Sequence, residues 1–117
     1  MTYKTKELGQ NGENLATNFL IKNNYQIIKR NYRCRYGEAD IIAKKNDVII
    51  LVEVKTKITF EQGDPEEMVN YFKQKKLRLI ARHLEQEYPK HDILIDVIAI
   101  DLSAKNPKIN HIQNAVE

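Results

Sequence analysis

Apolar positions recur at steps of three and four from Thr5 to Asn23, with Leu8, Gly12, Leu15, Ala16 and Phe19 on one face. That spacing predicts an amphipathic helix, and the Asn23-Asn24 pair is a suitable stop. Tyr25–Arg30 reads as a short strand, followed by a loop or strand end over Asn31–Gly37. Glu38–Ala43 and Val48–Lys55 read as two strands joined by a turn at Lys44–Asp47. After a loop over Lys57–Asp64, Asp64-Pro65-Glu66-Glu67 has the form of a helix start, with Asp as cap, Pro in the first position and acids in the first turn. This second helix is expected to run to about Glu87 and stop before Pro89, with Val69, Phe72, Ile80 and Leu84 on its apolar face. Ile93–Leu102 reads as an apolar strand and Lys108–Gln113 as a final edge strand. The expected order is α-β-β-β-α-β, with one more strand at the end. A helix on each side of a mixed sheet covers such strands.

The strand pair in the middle carries the chemistry. Along Val48–Lys55, Glu53 and Lys55 share a face with Ile49 and Leu51, their Cα atoms about 6.6 Å apart. On the preceding strand Glu38, Asp40 and Ile42 share a face. With Lys44–Asp47 as the loop, Ala43 lies opposite Val48 and Glu53 is a diagonal neighbour of Asp40. A slip of two residues brings Asp40 directly opposite Glu53, and only a one-residue slip separates them. Asp40, Glu53 and Lys55 are therefore expected together at one end of the hairpin. Neighbouring carboxylates repel unless a cation or a shared proton intervenes, and a hard divalent metal is the simplest answer. The plainer reading is a Glu53–Lys55 or Asp40–Lys55 ion pair at a strand end.

Composition narrows the class. The 117 residues, 42% hydrophobic and 30% charged, suit a single soluble domain over residues 1–117. Cys34 is the only cysteine, which excludes an internal disulfide and a cysteine-based zinc site. His83, His91 and His111 show no metal-ligand spacing. No apolar run approaches membrane-spanning length and the N-terminus lacks a signal-peptide core, so the expected location is the cytoplasm. The net charge of +3 permits nucleic-acid binding without demonstrating it. Lys29, Arg30, Arg33 and Arg35, interleaved with Tyr32 and Tyr36, could combine phosphate contact with stacking, or form a solvated strand end with Tyr32 in the core. Lys57 and Lys73 join Arg30, Arg33 and Arg35 as candidate nucleic-acid contacts. Helical spacing puts Lys73 and Lys76 inside the apolar arc of the second helix, where one could reach the site or both could snorkel past the sheet. Lys75, Arg78 and Arg82 read as a solvated face. Asp96 interrupts the apolar run ILIDVIAI and is expected to be hydrogen-bonded for structure.

Gly37-Glu38-Ala39-Asp40-Ile41-Ile42-Ala43 followed by Leu51-Val52-Glu53-Val54-Lys55-Thr56-Lys57 resembles the paired motifs of the PD-(D/E)XK nuclease superfamily. The whole chain resembles the YraN family of small bacterial proteins. The likeness includes Gly12-Glu13, Asn31-Tyr32-Arg33, Gly37-Glu38, Asp64-Pro65, Lys73 and Ile95-Asp96-Val97. It departs from the superfamily motif in having Ala39 where the motif's Pro would stand. The resemblance implies a restriction-endonuclease-like αβββαβ core, similar to archaeal Holliday-junction resolvases. It implies Asp40 and Glu53 as ligands of Mg²⁺ or Mn²⁺, the Val54 carbonyl as a third ligand, Lys55 as the catalytic lysine and Glu13 as the first-helix acid that completes the site. The implied function is metal-dependent hydrolysis of DNA phosphodiester bonds, on branched or recombining substrates, by a homodimer. The alternative is a nuclease fold that binds nucleic acid or a protein partner without turnover.

Overall fold

A computed structural model describes residues 2–57, 71–103 and 105–116, with side chains from Gln10 onward. The predicted loop after Lys57, the Asp64 helix start, Val69 and the Leu8 side chain lie outside what is described.

Helix α1 (Thr2–Lys22) leads into strands β1 (Gln26–Cys34), β2 (Gly37–Lys45) and β3 (Val48–Lys57). Helix α2 (Tyr71–Glu87) precedes β4 (Asp92–Asp101) and β5 (Lys108–Ile112). The sheet order is β1-β2-β3-β4-β5, antiparallel except for the parallel pair β3–β4. The mixed sheet flanked by helices and the αβββαβ core are as expected. Among the described residues, no helix is long and apolar enough to cross a membrane.

Local chemistry sets the element ends. Helix α1 closes with Asn24 at a positive φ of 69°. The Tyr25 amide donates to the Leu20 carbonyl and the Asn24 amide to Ile21, which satisfies carbonyls the helix leaves open. The β2–β3 turn is tighter than expected. Asn46 and Asp47 both take positive φ, 50° and 68°, which makes it a two-residue hairpin turn. Lys44 and Lys45 stay in the ladder, with Lys45 opposite Val48. The register is thus the two-residue slip of the first-choice pairing.

Period-two alternation in β3 divides the core. Ile50 and Val52 pack with Ile41, Ala43, Ile98 and Ile100 beneath Ala16 and Leu20 of α1. Ile49 and Leu51 pack with Ile42 and Ile95 beneath Leu77, Ile80, Ala81 and Leu84 of α2. Phe72 is not part of this stripe: it is 78% exposed. At about 100° per residue it stands roughly 80° from Ile80 and 140° from Leu77, off the buried arc. Gly12 marks the closest approach of α1 to the sheet, since a Cβ there would collide with the Thr56 side chain.

One irregularity positions the site. Asn31 in β1 takes a φ of 54°. Arg30 consequently reaches Glu13 on α1, whereas Tyr32, two residues on, packs in the α2-side core and donates its hydroxyl hydrogen bond to Glu87. In an unbroken strand, residues two apart would face the same way. The break crosses to β2, where Ala39 belongs to the α2-side core and Ile41 to the α1-side core. Asp40 lies between them.

Candidate active site at the fork between the second and third strands

Pairing of β2 with β3 ends at Ile41 opposite Val52, so Asp40 and Glu53 are the next residues across the hairpin. Here the backbone ladder gives way to a side chain: the Val54 amide donates to Asp40 Oδ2 at 2.7 Å. The amide and carbonyl of one strand residue point to the same edge, so the Val54 carbonyl borders the same gap as the Asp40 carboxylate.

Glu53 lies inside, its side chain 6% exposed. Its Oε1 is 3.4 Å from Lys73 Nζ on α2 and 3.7 Å from Lys55 Nζ on its own strand. Its Oε2 is buried without a hydrogen-bond partner. Burial, reinforced by the neighbouring charge of Asp40 and opposed by Lys73 and Lys55, pushes the Glu53 carboxyl up to about 7, and a hydrogen bond with the Asp40 carboxyl adds to the rise. The two carboxyls are close enough to share a proton, or a cation in its place.

This shift has a measurable consequence. Between the ordinary glutamate range and about pH 7 the folded chain binds a proton that the unfolded chain has lost. The contribution to stability is therefore full below the unfolded value and is lost as pH rises through about 7. Without added metal, the melting temperature should carry a downward component from about pH 4.5 to about pH 7 and none above it. Glu53→Gln should remove most of it; a profile unchanged by that substitution would contradict the assignment.

Glu13 approaches from the other side of the sheet. Arg30 Nε is 3.3 Å from Glu13 Oε1, and Arg30 Nη2 donates to Asn14 Oδ1 at 2.7 Å. Burial raises the Glu13 pKa, the Asp40 charge raises it further, and Arg30 opposes both. Glu13 thus feels Asp40 electrostatically while Arg30 holds it. Among the described residues, no three His, Cys, Asp or Glu side chains converge closely enough to cage a metal ion. The donor set at the fork is Asp40, the unpartnered Glu53 oxygen and the adjoining Val54 carbonyl. These hard oxygens fit a small divalent cation that keeps water or substrate phosphate in its remaining positions.

The expected nucleic-acid contacts do not form one surface. Arg30 pairs with Glu13 on the α1 side of the sheet and Lys73 with Glu53 on the α2 side. Arg33 pairs with Glu38 at 2.6 Å in the open, and the Arg35 guanidinium lies 4.7 Å from the centre of the Tyr36 ring. Lys57 is buried, with its charge acting on Asp101 of the adjacent strand, and does not share the open face of the others. Of the two lysines expected in the apolar arc, Lys73 reaches Glu53, and Lys76 lies across Gly37 instead. The Arg30–Glu13 contact joins residues 17 apart and had no local sequence signal.

A family model described as Uncharacterised protein family UPF0102 matches residues 12–100, a span that holds Glu13, Asp40, Glu53, Val54, Lys55 and Lys73. The UPF0102 protein of Caldicellulosiruptor bescii is 45% identical over 117 residues, covering 94% of this chain and 97% of that protein. The UPF0102 protein of Thermodesulfovibrio yellowstonii is 43% identical over 113 residues, covering 93% and 95%. That of Geobacter metallireducens is 40% identical over 119 residues, covering 100% and 98%. With its motifs inside the matched span and relatives aligned nearly end to end, the chain belongs to the UPF0102 family, the YraN family that its sequence resembles.

Proposed function

We propose that the chain is a Mg²⁺- or Mn²⁺-dependent nuclease that hydrolyses phosphodiester bonds of DNA, with branched or recombining DNA as the first substrates to test. The observation that carries this reading is the buried, unpartnered Oε2 of Glu53 beside Asp40. Asp40 and Glu53 would hold the cation, with the Val54 carbonyl as a third ligand. When bound, the cation supplies Lewis acidity at the phosphate and lowers the pKa of coordinated water. In the overall hydrolysis a water oxygen bonds to phosphorus and one bridging P–O bond breaks. Of the two water protons, one ends on the leaving oxygen and the other passes to solvent. Lys55 would neutralise charge building on the phosphate oxygens. Lys73 holds Glu53 Oε1 from the opposite wall and leaves Oε2 for the ligand role. Glu13, which feels the charge of Asp40, would complete the acidic set.

The test is metal binding followed by cleavage. Mn²⁺ should bind the wild type in calorimetry and bind Asp40→Asn or Glu53→Gln much more weakly, with octahedral oxygen coordination. Equal binding by all three proteins would remove the metal site from consideration. A second reading follows from the lysines already on Glu53 and from its pKa near 7. The two carboxyls could share a proton, with the fold serving as a nucleic-acid or protein-binding module without turnover. In that case no metal binds near neutral pH, and DNA is bound but not cut. Sedimentation with and without DNA tests the expected homodimer.

A further inference from the structure

Tyr71 and Phe72 open the described part of α2 and are 67% and 78% exposed. The other exposed large apolar side chains among the described residues are Ile21 and Leu94, at 54% and 37%, one on α1 and one on β4. Only Tyr71 and Phe72 form an adjoining aromatic pair, with ring centres 5.7 Å apart and planes at 76°. A helix with a sheet to cover would normally turn such rings inward, since each carries a large apolar area.

Their surroundings are cationic. Lys75 and Lys76 are exposed and stand one helical turn beyond Tyr71 and Phe72, so each ring has a lysine as its neighbour on the helix surface. The Lys76 side chain crosses Gly37, where a Cβ would collide with its Cε. That contact joins the helix to the β1–β2 turn, where Arg35 lies over the Tyr36 ring. Lys73, one residue after Phe72, turns inward to Glu53. The same end of one helix therefore carries exposed rings, exposed lysines and a direct contact to the acidic site.

We infer that Tyr71 and Phe72 form a stacking step for unpaired nucleobases, so that the polymer bound at the Asp40–Glu53 fork is single-stranded or unpaired there. This deepens the nuclease reading and rests on it for the identity of the polymer. Exposed rings accept the π-face of any base, and flanking lysines follow the phosphates, which together give affinity for single strands with little sequence preference. A paired duplex keeps its base faces within the stack and offers the rings nothing equivalent. Charge favours nucleic acid over a second copy of this chain, since two copies meeting at this patch would bring Lys75 and Lys76 against their own equivalents.

The experiment measures binding of end-labelled single-stranded and duplex DNA of equal length by anisotropy, in EDTA so that nothing is cut. Tyr71→Ala combined with Phe72→Ala should weaken single-strand binding by about 5- to 150-fold for each base stacked and change duplex binding by less than about twofold. Tyr71→Leu with Phe72→Leu, apolar but without a π-face, should lose about as much, whereas Phe72→Trp should retain affinity. A 2-aminopurine base within the single strand should be quenched by the wild type and not by the alanine variant. The inference is overturned by undiminished single-strand binding in the alanine variant, by full binding in the leucine variant, or by an equal loss on duplex. It is also overturned if sedimentation shows the alanine substitutions splitting a dimer. The two readings can fail separately. Selective single-strand binding through the rings by a protein that cuts nothing with Mn²⁺ retains the stacking step and ends the nuclease reading. Alanine variants that bind and cut like the wild type do the reverse.

Discussion

Replacing Lys55 with alanine is expected to slow DNA cleavage at least about a hundredfold, the loss typical of removing one preorganised electrostatic group, while metal and DNA binding change little. The expectation follows from the two cations on Glu53. Lys55 and Lys73 meet the same oxygen, Oε1, at 3.7 and 3.4 Å. With Lys55 gone, Lys73 still compensates the Glu53 charge, so the acidic pair can hold its cation. What is lost is an ammonium group on the strand beside the place where the phosphate would gain charge. Lys55→Arg should retain part of the activity, because the charge persists but the planar guanidinium fits differently. The assay needs purified protein, Mn²⁺ or Mg²⁺, and linear, flapped and four-way DNA. Equal cleavage by wild type and Lys55→Ala would place the chemistry elsewhere or identify a contaminant. Binding without cleavage of any substrate would favour the module without turnover.

The second large effect lies away from the fork. Asp96 is 2% exposed, with Oδ2 2.7 Å from His111 Nε2 and Oδ1 accepting the Asn114 amide at 2.9 Å. The His111 ring meets Phe19 and Tyr25 edge-on, each at 5.8 Å. The Ala115 amide donates to the Ile95 carbonyl, and Val116 is buried in the α2-side core. Asp96 thus fastens the end of the chain to β4. Asp96→Ala would strand two partners, at about 1–3 kcal/mol each, so the expected loss of stability is about 2–6 kcal/mol. Asp96→Asn should cost less, since an amide can still accept from Asn114 and can donate to His111. Urea denaturation of the three proteins measures this directly. A loss below about 1 kcal/mol for Asp96→Ala would mean that the network holds little.

Much of this arrangement was legible because the apolar pattern of β3 leaves little choice. Alternation from Val48 places Glu53 and Lys55 on the α2 side in any register that keeps the core buried, and the structure has them there. The register is the two-residue slip from the pairing that a Lys44–Asp47 loop would give. Lys44 and Lys45 look like turn residues by charge, yet they extend the strands. Lys45 can do so because its ammonium bonds the Asn23 carbonyl and lies 4.6 Å from the centre of the Tyr25 ring, contacts made with a distant segment. The correct register put Asp40 directly across from Glu53. Asp96 was recognised as structural because a lone acid in an apolar strand must find partners, although its partners could not be named from the sequence. Of the two readings of Asn31–Gly37, loop or strand end, the structure has a strand as far as Cys34. The positive φ of Asn31 reverses the facing of the strand and lets it continue. Phe72 looks like a member of the apolar face with Ile80 and Leu84, but its angular position takes it off the buried arc.

The same irregularity in β1 bears on how the molecule behaves in a crowd of its own copies. Among the described residues, β1 ends the sheet order and has only β2 as a neighbour. Nine regular residues there would offer a row of free amides and carbonyls to any other extended chain, the usual route to edge-to-edge aggregation. Here the pairing shifts between Ile27 and Lys29, and Asn31 breaks the pleat three residues before the strand ends. Lys29 and Arg33, both exposed, add charge along what regular edge remains. The asparagine that turns Tyr32 inward and brings Arg30 to Glu13 therefore also spoils the template, so one local conformation serves both the geometry of the fork and the solubility of the fold.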